Sequence, residues 1–587
     1  MTGANLFFSS TGAVLELSAV PPDSAFLDGW RQRVVRARAM LEWREAGEAA
    51  VARVHSGGAS LAIAAPFDQL FTATEVNEWA VCATLLARDP ARWAGLDRVL
   101  AAAALESAGP PGLLVPPVLE QSAAHERFAR LARHEARPDL RALVDAADVR
   151  GLPHVLDESL VTLGGGSGGR SYALADLPRV SDVSWSDLRD IPVCLVTGSN
   201  GKTTTVRLLA ACARTHGWPA AYNCTDGVFL DGETLATGDY SGPAGARRVM
   251  REARAEAAIV ETARGGILRR GIAVSRAHSA VVTNVSSDHF GEYGIDDLDG
   301  LADVKLSVAS VLVPGGLLVL NADDALLESK APGLERRFGR GPSIGWFALD
   351  ADSPVLSEHR GKGGPTCGVR RGRMLLSLSG NEHDLGPVAD MPLTATGSAT
   401  YNIANLAAAA LAAAALGVAP DAISSVFARF GAHASDNVGR LMRFDVRGVI
   451  VLVDYAHNPE GLRGLLGVAQ QLRGTGRLGV LLGHAGNRQD ADIEEVARVA
   501  AGFRPDLVVV KENDAHLRGR EPGEVPRIIR GALLRSGLPE SALPVRMSEV
   551  EAARYALDWA RPGDVLALLL HSPAARATVL TMLESGT

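Results

Sequence analysis

Short apolar runs alternate with longer stretches of helical spacing along most of the chain. From Ile191 to about Gly431 the runs are VCLVTG from Val193, AAIVETA from Ala257, AVVTNV from Ala280 and GLLVLNADD from Gly316, each followed by a segment long enough for a helix. That alternation predicts βαβ units: an α/β fold with a mainly parallel, helix-covered sheet, whose sites lie at the carboxyl ends of the strands. After Arg440 the rhythm resumes with VIVLVDYAHNP, LGVLLGHAG, DLVVVKEND and DVLALLLHS, which predicts a second, smaller Rossmann-like domain.

Ahead of both, Trp30, Val34 and Leu41 recur at helical spacing, ASLAIAA (59–65) reads as a buried strand, and Thr74, Glu75, Glu78 and Trp79 open another amphipathic helix. Asp68, Glu75 and Glu78 are expected to form a solvated face rather than a carboxylate cluster. The glycine-rich TLGGGSGGR (162–170) lacks the Lys-Thr of a phosphate loop and reads as a linker or hairpin. The expected division is an N-terminal α/β domain over 1–155, a linker over 156–190, a central domain over 191–433 and a C-terminal domain over 434–587.

Composition narrows the function classes. The 587 residues are 47% hydrophobic and 21% charged, with a formal net charge of -8, which leaves no electrostatic footprint for nucleic acid or an anionic membrane. Five scattered cysteines, none in a C-x-x-C pair, predict neither a disulfide framework nor a zinc site. The N-terminus lacks a basic secretory n-region, and no apolar run reaches the roughly 18 residues of a membrane span. A cytoplasmic protein is the expectation, with a homo-oligomer left open.

The stretch that carries chemistry is VCLVTGSNGKTTTVRLL (193–209). Strand, glycine-containing loop and helix follow one another, so backbone N–H groups can cradle phosphate, Lys202 can neutralise it, and the Thr203 hydroxyl can meet Mg²⁺. The strict G-x-x-x-x-G-K-[ST] pattern fails, because Val196 stands where its first glycine belongs. Glu261 ends the AAIV run and Asp288-His289 follow TNVSS, so a carboxylate and an imidazole fall at neighbouring strand ends, where they can serve a metal ion.

The shorter loop TGSNGKTT, with ETARGGILRRG (261–271), NVSSDH, Lys305, YNIANLAAA, VGR and DYAHNP, resembles the Mur ligase superfamily, and most closely the ligase half of the cyanophycin synthetase family. CTDGVFLDGE (224–233), GDYSGPAGAR (238–247) and KENDAHLRGR (511–520) are further points of likeness, and the match covers residues 191 to 587. APFDQLFTATEVNEWA and the segment 142–170 are similar to the N-terminal region of cyanophycin synthetases and to the lead-in of their ATP-grasp domain. The phosphate loop then begins at Gly198, too soon after Arg170 for a grasp domain of about 200 residues. One ATP site, and hence one ligation, is the expectation.

The resemblance implies an ATP-dependent, amide-forming acid–amino acid ligase. Gly198, Asn200, Gly201, Lys202, Thr203 and Thr204 would hold ATP, with Asn402 facing the nucleotide and Asn405, three residues on, on the same helical face. Arg440 would reach the phosphates, Asp454 the ribose and His457 the base or substrate. Thr203, Glu261, His289 and Lys305 would serve Mg²⁺, Lys305 as a carbamate. Tyr401 replaces the family's usual histidine before the first asparagine. Thr225, Asp226 and GDYSGP would lie on the acceptor side with Arg264, while Arg518, Arg520 and the loop 483–490 would flank the incoming amino acid. An anionic acceptor such as an aspartyl peptide, with arginine or another amino acid as donor, leads. The alternatives are a catalytically weak partner or regulator of a full-length cyanophycin synthetase, or a peptidoglycan-type or folate-type ligase. An oxidoreductase is disfavoured, because no G-x-G-x-x-G follows a strand after Arg440.

Overall fold

A computed structural model of the chain describes residues 1–18, 21–44, 48–93, 95, 120–287, 290–338, 341–486, 488–512 and 517–585. Among these residues the strands form four sheets. The largest has eleven strands, and Val193–Thr197 is the fifth in order, flanked by Ala257–Glu261 and Ala277–Val282. Every pairing from Ala220–Cys224 through to Thr366–Arg370 is parallel, and antiparallel hairpins finish both edges. Val193–Thr197 and Ala257–Glu261 are buried at every residue, as a strand covered on both faces requires.

The helix Lys202–His216 and the alanine-rich Thr400–Leu416 cover one face of this sheet. Alanine side chains let the second helix approach closely, and Ala407 to Ala412 are wholly buried. The other face carries Pro243–Arg251 and Leu298–Leu306. The parallel order aligns the carboxyl ends of seven strands on one edge, where the phosphate loop emerges.

The six-stranded C-terminal sheet runs Met442–Val446, Val449–Asp454, Val565–Leu569, Leu478–Leu482, Leu507–Lys511, Val545–Arg546, with only the first pair antiparallel. The four expected strands are its core. Its two edge strands give little apolar signal, since MRFDV alternates with solvent and the last has two residues.

In the N-terminal region Gly12–Ser18, Gly58–Ala64 and Ala50–His55 form an antiparallel sheet, with the fully buried Gly58–Ala64 in the middle. The Ser24–Met40 helix packs on it through Trp30, whose indole N–H donates to Asn77 Oδ1 at 2.9 Å, while Asn77 donates to Leu61 O at 2.8 Å. The expected solvated face of Asp68, Glu75 and Glu78 is corrected. Asp68 is buried, accepts from the Arg137 N–H at 2.9 Å and pairs with Arg141, and Glu75 pairs with Arg127. Arginines from the later helices Gln121–Glu135 and Pro138–Val149 and the residue before the second supply these partners, which local patterning does not reveal.

Of linker and hairpin, the glycine-rich stretch takes the hairpin form: Leu160–Leu163 pairs antiparallel with both His154–Leu156 and Arg170–Ala173. Its glycines allow backbone to meet backbone. Ser167 N–H donates to Ala255 O at 2.7 Å, and a Cβ at Gly166 would stand 2.3 Å from the same oxygen.

Leu411→Ala should cost about 2–5 kcal/mol because it opens a cavity in the fully buried helix. Val149→Ala, 86% exposed, should stay within about 0.5 kcal/mol. Urea midpoints measure both, and equal shifts would contradict the assigned core.

Candidate active site

The phosphate loop depends on two glycines. Gly198 and Gly201 have φ of +145° and +85°, and a Cβ would lie 1.8 Å from Thr283 Oγ1 at the first and 2.2 Å from Asn405 Oδ1 at the second. Asparagine and threonine from the neighbouring strand end clamp the loop: Asn200 N–H donates to Asn284 Oδ1 at 2.9 Å, and Thr283 Oγ1 donates to Asn200 O at 2.6 Å. The helix then starts at Lys202 with Gly201 as an N-cap that supplies no side-chain acceptor. Its first N–H groups are therefore available to an anion. Lys202 Nζ folds back and donates to Gly198 O at 3.0 Å and Ser199 O at 2.9 Å, which places the ammonium over the loop.

Beside the loop stands Glu261, 1% exposed at the end of its strand. One carboxylate oxygen accepts from Thr203 Oγ1 at 2.9 Å, the other from Thr225 Oγ1 at 3.3 Å. Burial pushes the Glu261 carboxyl above its ordinary range, and Lys202 and the Thr203 hydroxyl only partly offset this. A buried carboxylate short of positive charge, next to a hydroxyl and a phosphate-type loop, is a hard-oxygen donor set that fits Mg²⁺. Lys305, 3% exposed on the last turn of Leu298–Leu306, lines the same cleft. His289, expected as a further metal residue, lies outside the described residues. Among the described residues no three His, Cys, Asp or Glu side chains group as a metal cluster.

The C-terminal sheet closes a cleft of 2180 Å³ over this edge. Asp454 accepts from the N–H groups of Leu441 (2.6 Å) and Ala456 (2.7 Å), and so shapes the loops that carry Arg440 and Tyr455. The Arg440 guanidinium lies over the Tyr455 ring at 4.3 Å, and His457 lines the same wall. Polar joints hold the halves together. Asn458 Nδ2 donates to Asn200 Oδ1 at 2.9 Å. Asp226 accepts from Arg207 at 2.8 Å and, through its other oxygen, from Arg576 at 2.7 Å.

Most of the expected residues share one cleft and some do not. Gly198, Asn200, Gly201, Lys202, Thr203, Thr204, Thr225, Asp226, Glu261, Arg264, Lys305, Asn402, Arg440, Asp454, His457 and Arg518 all line the cleft. Asp226, however, spends its carboxylate on the two arginines rather than presenting it to an acceptor, and Thr225 faces Glu261. Asn402 is 2% exposed and donates to Leu393 O at 2.9 Å while accepting from Asn405 at 3.1 Å, so its amide braces its helix. Arg520 is not among the cleft-lining residues. It donates to Gly486 O, Arg488 O, Asp490 and Glu524, which makes it a staple for the loop 483–490.

The residues that sequence reasoning missed are those whose partners are remote. Arg207 and Arg576 are examples, and so is buried Lys511, which pairs with Glu549 and lies 3.2 Å from His571 Nδ1. His571 Nε2 meets Ala456 O at 3.1 Å. A lysine donating to Nδ1 fixes the neutral tautomer with the proton on Nε2. Burial, with Lys511 alongside, keeps this imidazole well below its ordinary pKa.

The fold and site define a P-loop α/β protein in which a second parallel sheet closes over the loop. Residues 196–342 match the model of the Mur ligase middle domain, and 439–569 that of the Mur ligase, glutamate ligase domain. Cyanophycin synthetase of Trichormus variabilis is 34% identical over 398 residues, 67% of this chain and 42% of that protein. Its Synechocystis counterpart is 36% identical over 368 residues, 63% of this chain and 41% of that protein. UDP-N-acetylmuramate–L-alanine ligase of Kineococcus radiotolerans is 30% identical over 380 residues, 63% of this chain and 69% of that protein. A crystal structure of MurF from Acinetobacter baumannii aligns with a TM-score of 0.45 at 18% identity, over 66% of this chain and 76% of that one. The chain belongs to the Mur ligase family, an ATP-dependent amide ligase family whose members typically use Mg²⁺, and within it is similar to cyanophycin synthetase. It spans about two fifths of the length of those synthetases. No described helix is long and apolar enough to cross a membrane.

Asp226→Ala leaves Arg207 and Arg576 buried without their counter-ion, and should cost about 3–5 kcal/mol while expanding the protein in X-ray scattering. Burial raises the Asp226 carboxyl, but Arg440, Arg207 and Arg576 together outweigh it and hold it below the usual range. The joint's contribution is therefore complete above the unfolded value of about 3.9 and fades only as pH falls through the lower folded value. An unchanged urea midpoint and radius of gyration in Asp226→Ala would remove the joint.

Proposed function

We propose that the chain is an ATP-dependent acid–amino acid ligase. It transfers the γ-phosphoryl of ATP to a substrate carboxylate, and the amine of an amino acid captures the resulting acyl phosphate through a tetrahedral intermediate, releasing phosphate and leaving an amide. The observation that carries this reading is the phosphate loop paired through Thr203 to Glu261 inside a cleft that the Arg440 and Asp454 loops close. Membership of a family of ATP-dependent amide ligases supports it.

The loop N–H groups and Lys202 bind the phosphates, and Arg440 approaches the transferring group from the opposite wall, so charge spread over the phosphoryl oxygens meets cations on two sides. Asp454 and His457 face the nucleoside, with the Asn402–Asn405 pair behind the loop. Thr203, Glu261, His289 and a carbamylated Lys305 would hold Mg²⁺. Bound there, the cation would supply neutralisation of the phosphate charge. Thr225, Arg264 and the 238–242 turn border the acceptor, and Arg518 the incoming amino acid, with Arg520 shaping the loop next to it. Closure of the two sheets keeps water from the acyl phosphate, so the amine captures it rather than hydroxide. Arginines 247, 264, 269 and 270 along one wall suit an anionic acceptor such as an aspartyl peptide, with arginine or another amino acid as donor. One phosphate loop in the chain corresponds to one ligation. The division into segments ending near 155, 190 and 433 belongs to the same reading.

The test is ATP-dependent phosphate release with Mg²⁺ across the standard amino acids, with and without aspartyl or arginyl-aspartyl peptides, and mass spectrometry of the products. A peptide heavier by one amino-acid residue establishes the ligase and names both substrates. ATP binding without release from any pair would replace this reading with that of a partner or regulator of a full-length synthetase. Lys202→Ala should lower turnover by at least about 100-fold while the fold persists by circular dichroism. Lys305→Ala should also lose activity and recover part of it with added short carboxylic acids. Absence of that rescue would refute the carbamate.

A further inference from the structure

The segment 292–305 has two faces. Glu292, Tyr293, Leu298, Leu301 and Lys305 line the cleft, and Glu292 pairs with Arg264 at 2.6 Å. Its other face lies against the N-terminal hairpin built from Ala50–His55 and Gly58–Ala64. Ser56, in the hairpin turn, donates both its N–H, at 3.1 Å, and its hydroxyl to one oxygen of Asp296.

Two glycines mark how closely the hairpin approaches. A Cβ on Gly294, whose φ is +64°, would stand 2.3 Å from His55 Cδ2, and one on Gly300 would stand 1.8 Å from an Arg53 guanidinium nitrogen. Charge matches shape: the hairpin brings Arg53 and His55 to the turn carrying Asp296 and Asp297, while Asp299 pairs with Lys330. The Ser56 hydrogen bonds, with His55 and Arg53 nearby, hold the Asp296 carboxyl below its usual range against the opposing effect of burial.

Leverage distinguishes this contact from ordinary packing. Asp297 caps the nine-residue helix Leu298–Leu306 by accepting from Gly300 N–H at 2.7 Å, so the braced turn is the one that sets the helix direction. Lys305 lies five residues beyond Gly300, about 7.5 Å along the axis at 1.5 Å per residue. A 10° tilt there moves Lys305 by about 1.3 Å, and misplacement on that scale can cost up to about 100-fold in rate, so a partial loosening costs about tenfold.

We propose that the N-terminal hairpin is a positioning element of the active site: Arg53, His55 and Ser56 fix the 292–305 wall, and so aim Lys305 and the Arg264–Glu292 pair without touching substrate. The rate consequence rests on the ligase reading above, but the bracing itself does not.

The experiment uses the full chain with Ser56→Ala, Ser56→Thr and Asp296→Ala. Hydrogen exchange read by mass spectrometry should rise about tenfold or more in peptides over 290–306 for both alanine variants, leave the phosphate-loop peptides over 196–206 unchanged, and return to the wild-type level in Ser56→Thr. With ATP and the substrates found active for the wild type, kcat should fall about tenfold with the KM for ATP within about twofold, and Ser56→Thr should restore it. Gly300→Ala should reproduce the exchange defect, and Gly300→Ala combined with Arg53→Ala should be less than additive. Unchanged exchange over 290–306 in folded Ser56→Ala and Asp296→Ala would overturn the proposal, as would a rate loss that Ser56→Thr does not repair. Should the wild type show no turnover, the exchange measurements still decide the bracing and only the ligase reading falls.

Discussion

Asp226 accepts a guanidinium on each carboxylate oxygen, one from the helix that carries the phosphate loop and one from the last helix of the chain. Its side chain is 16% exposed and those of Arg207 and Arg576 are 7% exposed, so three charges have lost most of their hydration. Such a cluster repays its desolvation only if each group keeps its partners, and Arg207 does so by also donating to Asn437 Oδ1 and Val438 O. The cleft exists only while the two sheets face each other. This joint therefore helps to keep Arg440 and Asp454 across the cleft from the phosphate loop.

The same logic runs through the C-terminal domain as a chain of buried charges. Glu549 accepts from the His571 and Ser572 N–H groups at 3.0 Å each, just before the helix Pro573–Ser585 that carries Arg576, and it neutralises Lys511. Lys511 fixes the tautomer of His571, His571 holds Ala456 O, and its ring packs edge-on against Tyr455, over which Arg440 lies. Gly483 belongs to this chain as well, because a Cβ there would press within 2.8 Å of the Lys511 side chain and backbone. Arg440 and Arg576 thus take their positions from one buried lysine–glutamate pair. It is a polar network whose members are each satisfied, and therefore rigid.

What was legible in the sequence was what is local. The strand–loop–helix around Lys202, the carboxylate ending the Ala257–Glu261 strand and the parallel alternation all follow from apolar runs, helical spacing and loop chemistry within a few residues. What was not legible depends on pairs far apart in the chain. Arg576 and Asp226 are 350 residues apart, and nothing in ARATVLTML signals a bridging arginine. Asp68 reads as solvated until Arg141 folds over it. Arg520 reads as a substrate contact until Gly486 O, Arg488 O and Asp490 take up its guanidinium. At Gly294 and Gly300 it is the N-terminal hairpin, some 240 residues earlier in the chain, that leaves a side chain no room.

These separations bear on how the site acquires its electrostatics. Lys202 is held by two loop carbonyls, so its ammonium is oriented before any phosphate arrives, and little rearrangement remains for it to make. Glu261 is the opposite case: it is buried, hydrogen-bonded to two hydroxyls, and still short of positive charge. A site with an over-held cation on one side and an under-compensated carboxylate on the other favours a ligand that brings both signs, namely phosphate oxygens for Lys202 and a divalent cation for Glu261. Either alone would leave the half-buried Lys202 or the buried Glu261 mismatched, whereas a metal–nucleotide complex would satisfy them together. On the proposed ligase reading, a preference for the complex over free nucleotide would be built into the apposition of two neighbouring strand ends.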